Sequence, residues 1–209
     1  LNIPASRDQK VINLSDIDDR SDFKEVFKTD TLMVFPTDTV YGLGGNGDDD
    51  SVTSRIYRVK QRSEDKPLTL HLFSRDDIFS YVLDISEKQK ALIDKLLPGP
   101  YTIILPANSE APDVSVSREK KVGIRVPDSD SFRGLKQHID FPLVGTSVNK
   151  SGEPPMTDFD RIVEEFGGIV DLFIESEEEM SGESSTVLDL TFDPPKVIRG
   201  EFSLEDIED

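Results

Sequence analysis

The chain has no cysteine, only two histidines and no long apolar run. Without cysteine there is no disulfide, no thiolate nucleophile and no sulfur-ligated metal. His71 and His138 follow neither an H-x-x-x-H nor an H-E pattern, which argues against zinc. No stretch reaches the roughly 18 apolar residues of a membrane helix. The first ten residues lack the apolar core of a signal peptide. The expected setting is the cytoplasm, with no membrane partner. No G-x-x-x-x-G-K-[ST] occurs, so there is no P-loop. Positive charge is also scarce: 24 Lys and Arg stand against 42 Asp and Glu, a formal net charge of −18. That balance excludes affinity for polyanions from bulk charge, but leaves room for a local basic groove.

What is present is patterned. Apolar, β-rich runs recur at 31–35, 68–73, 101–105, 122–126, 141–147, 169–174, 186–190 and 196–199. Helical patterns lie between several of them. One runs over 16–28. A second starts near Ser51, a candidate N-cap, and brings Val52, Ile56 and Val59 to one face. A third runs over 86–97 and stops at Pro98-Gly99-Pro100, and a fourth over 158–166 stops at Gly167-Gly168. Interleaved strands and helices give the α/β class, with an open, mixed, twisted sheet flanked by helices. At 209 residues the expectation is one domain, with its core over about 12–200 and an acidic tail over 201–209. The acidic run 176–185 reads as a mobile loop.

Against this acidic background, Arg55, Arg58, Lys60, Arg62 and Lys66 crowd into one short stretch. Such a cluster is either a solvated helix face or a site that holds an anion. Lys60 and Arg62 are two apart, so they share a side only if the chain is extended there. Ligand binding by both therefore requires the helix to end near Val59. Arg55 and Arg58 fit the helix surface. Ser147 and Asn149, also two apart, follow an apolar strand in the polar loop VGTSVNKSGEPP. That loop is either an ordinary turn or a grip for phosphate or sugar. His71 lies inside the run LTLHLF, and His138 reads as a surface helix residue. Gly42 to Gly47 fits G-x-G-x-x-G, but PTDTVY precedes the glycines and three aspartates follow them, which rules out a dinucleotide site.

In combination these blocks are more specific. FPTDTVYGLG, KQR, KPLTLHL, PGPYTIIL, VGIRVP, TSVNKSGEP, SSTVLDL and VIRG, in that order, resemble the YrdC-like L-threonylcarbamoyladenylate synthase family, in its single-domain form. The resemblance implies a twisted α/β fold with a concave, positively charged pocket. It implies a nucleotidyltransferase that makes threonylcarbamoyl-AMP and pyrophosphate from L-threonine, bicarbonate or CO2, and ATP. It also implies downstream threonylcarbamoyl-transferase proteins that modify tRNA. By motif, Lys60 and Arg62 are the catalytic cations, and Ser147, Asn149, Ser185 and Arg199 bind nucleotide. Thr37, Tyr41 and His71 bind threonine, and Lys66, Arg125 and Thr146 are further candidates. Mg2+ would arrive with ATP, held mainly by phosphates and water, with Asp38 as a possible aid. Val148 stands where the family commonly has alanine. YciO-type paralogues share the fold but tend to lose S-x-N, which this chain keeps. The other readings are a non-catalytic paralogue of that kind and an RNA-binding module with a basic groove. The few aromatics outside apolar runs weigh against RNA.

Overall fold

The structure, a computed structural model, describes residues 10–13, 26–150 and 152–203. Among these residues, ten strands form a single sheet in the order β1-β8-β2-β3-β7-β4-β6-β5-β9-β10. The strands are β1 (Lys10–Asn13), β2 (Met33–Phe35), β3 (Gly42–Asn46), β4 (Thr69–His71), β5 (Tyr101–Pro106), β6 (Lys121–Arg125), β7 (Leu143–Ser147), β8 (Leu172–Glu175), β9 (Thr186–Asp189) and β10 (Lys196–Arg199). The sheet is mixed: β4 and β6 run parallel, as do β5 and β9, whereas β3–β7 and β5–β6 are antiparallel. The α/β class with a mixed open sheet is what the interleaved patterns predict. No described helix is long and apolar enough to cross a membrane.

Among the described residues four α-helices flank the sheet: α1 (Asp50–Lys60), α2 (Glu87–Leu96), α3 (Asp130–Gly134) and α4 (Phe159–Phe166). The N-cap of α1 is Asp49, not Ser51: its carboxylate accepts from the Ser51 and Val52 amides at 2.8 and 3.2 Å. Ser86 caps α2 in a capping box with Gln89. Asp158 caps α4 through the Arg161 amide at 3.1 Å. Of the helix expected over 16–28, only 26–28 fall within the described residues, and they are not helical. The acidic tail beyond Ser203 lies outside the described residues.

Two strands escape the sequence pattern. β1 is four residues long and half exposed, so it carries no apolar run. β3 is Gly-Leu-Gly-Gly-Asn, which reads as a turn yet is wholly buried. Its glycines serve close packing: a Cβ on Gly44 would collide with the Val144 carbonyl of β7, and one on Gly42 would meet the Phe35 ring at 2.5 Å.

Period-two alternation sorts the core onto both faces of the sheet. Val34, Leu43, Leu70, Ile103, Ile124, Val144 and Phe173 join α1, α2 and α4 on one side. Met33, Phe35, Leu143, Leu172 and Ile174 pack against Phe132 and Leu135 on the other. Registers carry this second face across the sheet: His71 stands opposite Arg125, and Gly123 opposite Ile104. Over β6, β5 and β9 that face is not filled by core side chains. It lines a cavity instead.

Candidate functional site

The cavity, about 640 Å3, opens over the second face of the sheet. Thr37, Tyr41, Arg62, Lys66, His71, Arg125, Thr146, Ser147, Ser185 and Arg199 all line it. Residues far apart in the chain are thus gathered around one space. Two expected site residues, Lys60 and Asn149, are not on its wall and lie directly behind Ser147.

The loop from Phe35 to Gly42 builds one end. The Thr37 hydroxyl donates to the Val40 carbonyl at 2.6 Å and accepts from the Thr39 amide at 3.2 Å, which folds the segment on itself. Arg125, 5% exposed, reaches across from β6. Its Nη2 donates to Asp38 Oδ1 and Thr39 Oγ1, each at 2.6 Å. The Asp38 carboxylate is therefore engaged through Oδ1 by a guanidinium. The Nε of Arg125 is buried and has no hydrogen-bond partner among the described residues. Tyr41 is buried, its hydroxyl accepts from the Ser176 amide at 3.3 Å, and burial raises its pKa.

His71 sits on β4 beside Arg125, edge-on to Phe35 with ring centroids 5.2 Å apart. Its Nδ1 lies 3.0 Å from the Thr69 carbonyl, so that nitrogen carries the proton and Nε2 has the free lone pair. Burial first, and the Arg125 charge second, push its pKa to about 3. His71 is thus a neutral ring at physiological pH.

The two cations of K-x-R part company. Lys60 is the last residue of α1, not the first of an extended segment. Gln61 then turns the chain with φ of 47°, in the left-handed region. The Lys60 Nζ runs inward and donates to the Ser147 carbonyl at 2.8 Å and to Asn149 Oδ1. Burial, with the Arg62 charge second, lowers its pKa to about 8. Asn149 is saturated: Oδ1 also accepts from Ser147 Oγ at 2.8 Å, and Nδ2 donates to the carbonyls of Lys150 and Glu153. Lys60, Ser147 and Asn149 form one buried unit that fixes the cavity wall at the end of β7.

Arg62 faces the cavity. Its Nε donates to the Lys66 carbonyl at 3.2 Å and its Nη2 to the Pro67 carbonyl at 3.0 Å. The side-on fork is thereby spent on closing the 63–67 loop, and Nη1 remains for a ligand. Lys66 is exposed at the mouth, and its carbonyl also accepts from Tyr57 at 3.1 Å. The rest of the cationic cluster is elsewhere. Arg55 is committed to a two-pronged ion pair with Asp171 at 2.7 and 2.9 Å and to the Ile169 carbonyl, while Arg58 is exposed.

On the far wall, Arg199 Nη2 donates to the Ser185 carbonyl at 2.8 Å and its hydroxyl at 3.0 Å, and Ser185 Oγ meets Thr102 Oγ1 at 2.8 Å. Burial lowers the Arg199 pKa, with Arg62 across the cavity as the second cause. The 176–185 segment is not free. The Ser181 and Gly182 amides donate to the carbonyls of Asp38 and Thr39 at 3.1 and 2.9 Å, and Glu178 accepts from the Ser131 amide at 2.6 Å. His138 ends a short 3-10 turn, half-buried and stacked on Phe27 at 5.2 Å.

Sequence reasoning missed Thr102, Arg118, Lys121, Asp189 and Ile198, which also line the cavity. Strand alternation places Thr102 with Ile104, and Lys121 with Gly123 and Arg125, so part of this wall was readable. Lys121 spans β5 to pair with Asp189 at 2.9 Å. The described residues contain no group of three acidic or histidine side chains arranged for a metal.

The Sua5/YciO/YrdC family model, described as Telomere recombination, matches residues 25–200. The chain is 35% identical over 178 residues to a threonylcarbamoyl-AMP synthase of Pyrococcus abyssi, a match covering 85% of this chain and 52% of that protein. The structure of P. abyssi Sua5 complexed with L-threonine aligns with a TM-score of 0.82 at 32% identity, over 96% of this chain and 60% of that one. YciO of E. coli aligns with a TM-score of 0.77 at 28% identity, over 84% and 85%. The chain spans about half the length of three of the curated relatives it matches. The match to the family model runs from the first core strand to β10 and takes in every wall of the cavity: the chain belongs to the Sua5/YciO/YrdC family.

Proposed function

We propose that this chain is an L-threonylcarbamoyladenylate synthase, a nucleotidyltransferase that joins L-threonine, bicarbonate or CO2, and ATP into threonylcarbamoyl-AMP with release of pyrophosphate. The observation that carries the reading is the lining of one cavity. Thr37, Tyr41, His71 and Arg125 line it as buried polar side chains. Arg62, Lys66 and Arg199 line it as half-buried or exposed cations. The buried polar set suits a small amino acid, and the exposed cations suit a triphosphate. The crystal structure of P. abyssi Sua5 complexed with L-threonine supports the amino-acid part.

In this reading the threonine amine adds to CO2 and loses a proton to give a carbamate. A carbamate oxygen attacks the α-phosphorus, the α–β bridging P–O bond breaks, and pyrophosphate leaves with the electron pair. The chemistry is that of two anions brought together, so the protein supplies position and positive charge. Arg62 presents Nη1 from a pinned guanidinium. Arg125 holds the amino-acid loop, and its unpartnered Nε offers a donor. His71, neutral and fixed in one tautomer, offers Nε2 as an acceptor. A pKa of about 3 makes it a hydrogen-bonding group and a poor base. Lys60 sits behind Ser147 and sets the potential of that wall.

Magnesium would come as the ATP complex. Of the acidic side chains that line the cavity, Asp189 and Glu119 pair with Lys121 and Asp65 accepts from the Ser63 hydroxyl, while Asp38 pairs with Arg125. The donor set therefore does not fit a protein-held metal, and Mg2+ would ride on phosphates and water. The product would pass to separate threonylcarbamoyl-transferase proteins acting on tRNA, in a cytoplasmic setting. The retained Lys60–Ser147–Asn149 unit favours the synthase over a non-catalytic paralogue. The test is pyrophosphate release by the purified chain, with the product identified by mass. Release that requires both threonine and bicarbonate supports the reading. ATP binding without release, at any concentration of the two, would refute it.

A further inference from the structure

Between β8 and β9 runs the acidic stretch 176–185, whose negative charges would repel one another in a loose loop. Its first part is held by one side chain. Glu178 Oε1 accepts from the Ser131 amide at 2.6 Å and from the Ser131 hydroxyl at 2.8 Å. Ser131 lies in the first turn of α3, where amides have no partner within the helix, and a carboxylate there makes short, charge-assisted bonds. An ionised carboxylate carries no proton, so the Ser131 hydroxyl must donate to it. That fixes the direction of the next bond: the Ser176 hydroxyl donates to Ser131 Oγ at 2.9 Å. Ser176 Oγ in turn accepts from the Glu178 amide at 3.1 Å. These groups close a ring in which every proton has one direction. Glu178 supplies both the amide that starts the ring and the carboxylate that ends it.

The ring bears on the cavity through Ser176. The Ser176 amide donates to the Tyr41 hydroxyl oxygen at 3.3 Å. A phenol oxygen that accepts from a fixed amide keeps its own proton for donation, and Tyr41 lines the cavity. Burial is the largest influence on Tyr41 and raises its pKa, so the phenol proton stays in place at neutral pH. Glu178 itself does not line the cavity. The later part of the stretch is anchored separately, by the Ser181 and Gly182 amides on the carbonyls of Asp38 and Thr39. The near part, where Tyr41 is met, is left to the ring.

We infer that Glu178 is a positioning residue for the amino-acid substrate: through Ser131 and Ser176 it orients Tyr41 as a hydrogen-bond donor to an anionic oxygen of that ligand. This rests on the synthase reading for the identity of the ligand as L-threonine. Glu178 acts from behind the wall, and no ligand contact is assigned to it.

The test measures threonine and ATP affinity by calorimetry in wild type, Glu178→Ala, Glu178→Gln, Tyr41→Phe and the double variant Tyr41→Phe/Glu178→Ala, with pyrophosphate release followed in parallel. Circular dichroism and thermal unfolding verify each fold. Glu178→Ala opens the ring and should weaken threonine about tenfold, with ATP affinity within about twofold. Glu178→Gln keeps an acceptor oxygen and should stay within about threefold of wild type for both ligands. In the Tyr41→Phe background the alanine change should cost threonine no more than about twofold, because the group it positions is gone. Ser131→Ala, which removes only the hydroxyl from the ring, is the milder opening and should weaken threonine by a smaller factor; it carries the test if Glu178→Ala does not fold. Equal losses in the alanine and glutamine variants, a loss that persists undiminished without the Tyr41 hydroxyl, or equal weakening of ATP would overturn the positioning role. Pyrophosphate release by wild type with unchanged threonine affinity in Glu178→Ala would overturn it while leaving the synthase reading in place. Threonine affinities that follow the expected pattern without any pyrophosphate release would leave the positioning role standing and refute the synthase assignment.

Discussion

Lys60→Met separates the structural role of the buried cation from the catalytic role proposed for it. The ammonium is held by two neutral acceptors, the Ser147 carbonyl and Asn149 Oδ1. The drop in its pKa from 10.5 to about 8 corresponds to about 3 kcal/mol of preference for the neutral amine. Methionine keeps the alkyl stem and removes that burden. It also removes two hydrogen bonds, at about 1–3 kcal/mol in total. Asn149 Oδ1 keeps its bond from Ser147. The two effects nearly cancel, so the variant should fold within about 2 kcal/mol of wild type at pH 7. Its pyrophosphate release should fall by about 10²-fold or more. The pH dependence gives the sharper check. The folded protein releases the Lys60 proton near pH 8, whereas the unfolded chain keeps it to about 10.5. Unfolding in that window takes up a proton, so raising the pH from about 8 toward 10.5 stabilises wild type relative to the variant, up to about 3 kcal/mol. Other titrating groups are common to both proteins and cancel in the difference. Thermal unfolding of the pair at several pH values reads it directly, at about 2–4 °C per kcal/mol. A difference that stays flat with pH would refute the buried, uncompensated ammonium. Full pyrophosphate release by the variant would remove Lys60 from the machinery.

Arg62→Lys should raise the KM for ATP and lower kcat by about tenfold or more, because an ammonium cannot close the 63–67 loop and face the cavity together; unchanged kinetics would sink the contact. Arg55→Ala should cost about 2–4 kcal/mol in chemical denaturation, since it leaves the Asp171 carboxylate with no cation and only the Leu32 amide, and leave any pyrophosphate release by the remaining folded protein unaltered. A kinetic defect in that variant would return Arg55 to the ligand cluster. Gly44→Ala should destabilise by about 3 kcal/mol or more by forcing β3 from β7, measured by urea unfolding. His71 ring signals in NMR should not titrate between pH 8 and about 4.5. Because the unfolded imidazole binds a proton near 6.5 and the folded one only near 3, stability should fall as pH drops below 6.5. A midpoint near 6.5 for His71 would contradict its burial.

The parts of the fold that announce themselves do so through side-chain period. Runs such as YTIIL and VGIRV carry the alternation of a strand, and every strand so marked is present. β3 is hidden because its packing requires glycine, the residue that otherwise marks turns. The 176–185 segment is hidden because its order comes from backbone amides on Ser181 and Gly182, which composition does not encode. The site shows the same division. The residues on strands and in the PTDTV loop reach the cavity as their motifs imply. The K-x-R pair does not behave as its spacing alone requires. Two residues apart means one side of an extended chain, or opposite sides of a helix, and neither holds here. The last turn of α1 keeps Lys60 helical, so its side chain follows the buried stripe of Ile56 and enters the wall behind Ser147. Gln61 then reverses the local direction with a positive φ, a conformation that an ordinary glutamine gives no reason to expect. Arg62 emerges on the cavity side of the break. One cation lies behind the wall and the other faces the cavity. Spacing arguments fail at helix ends for this reason: a single left-handed residue rotates everything after it, and here it lies between the distant partners of Lys60, Ser147 and Asn149, and the local ones of Arg62, the carbonyls of Lys66 and Pro67.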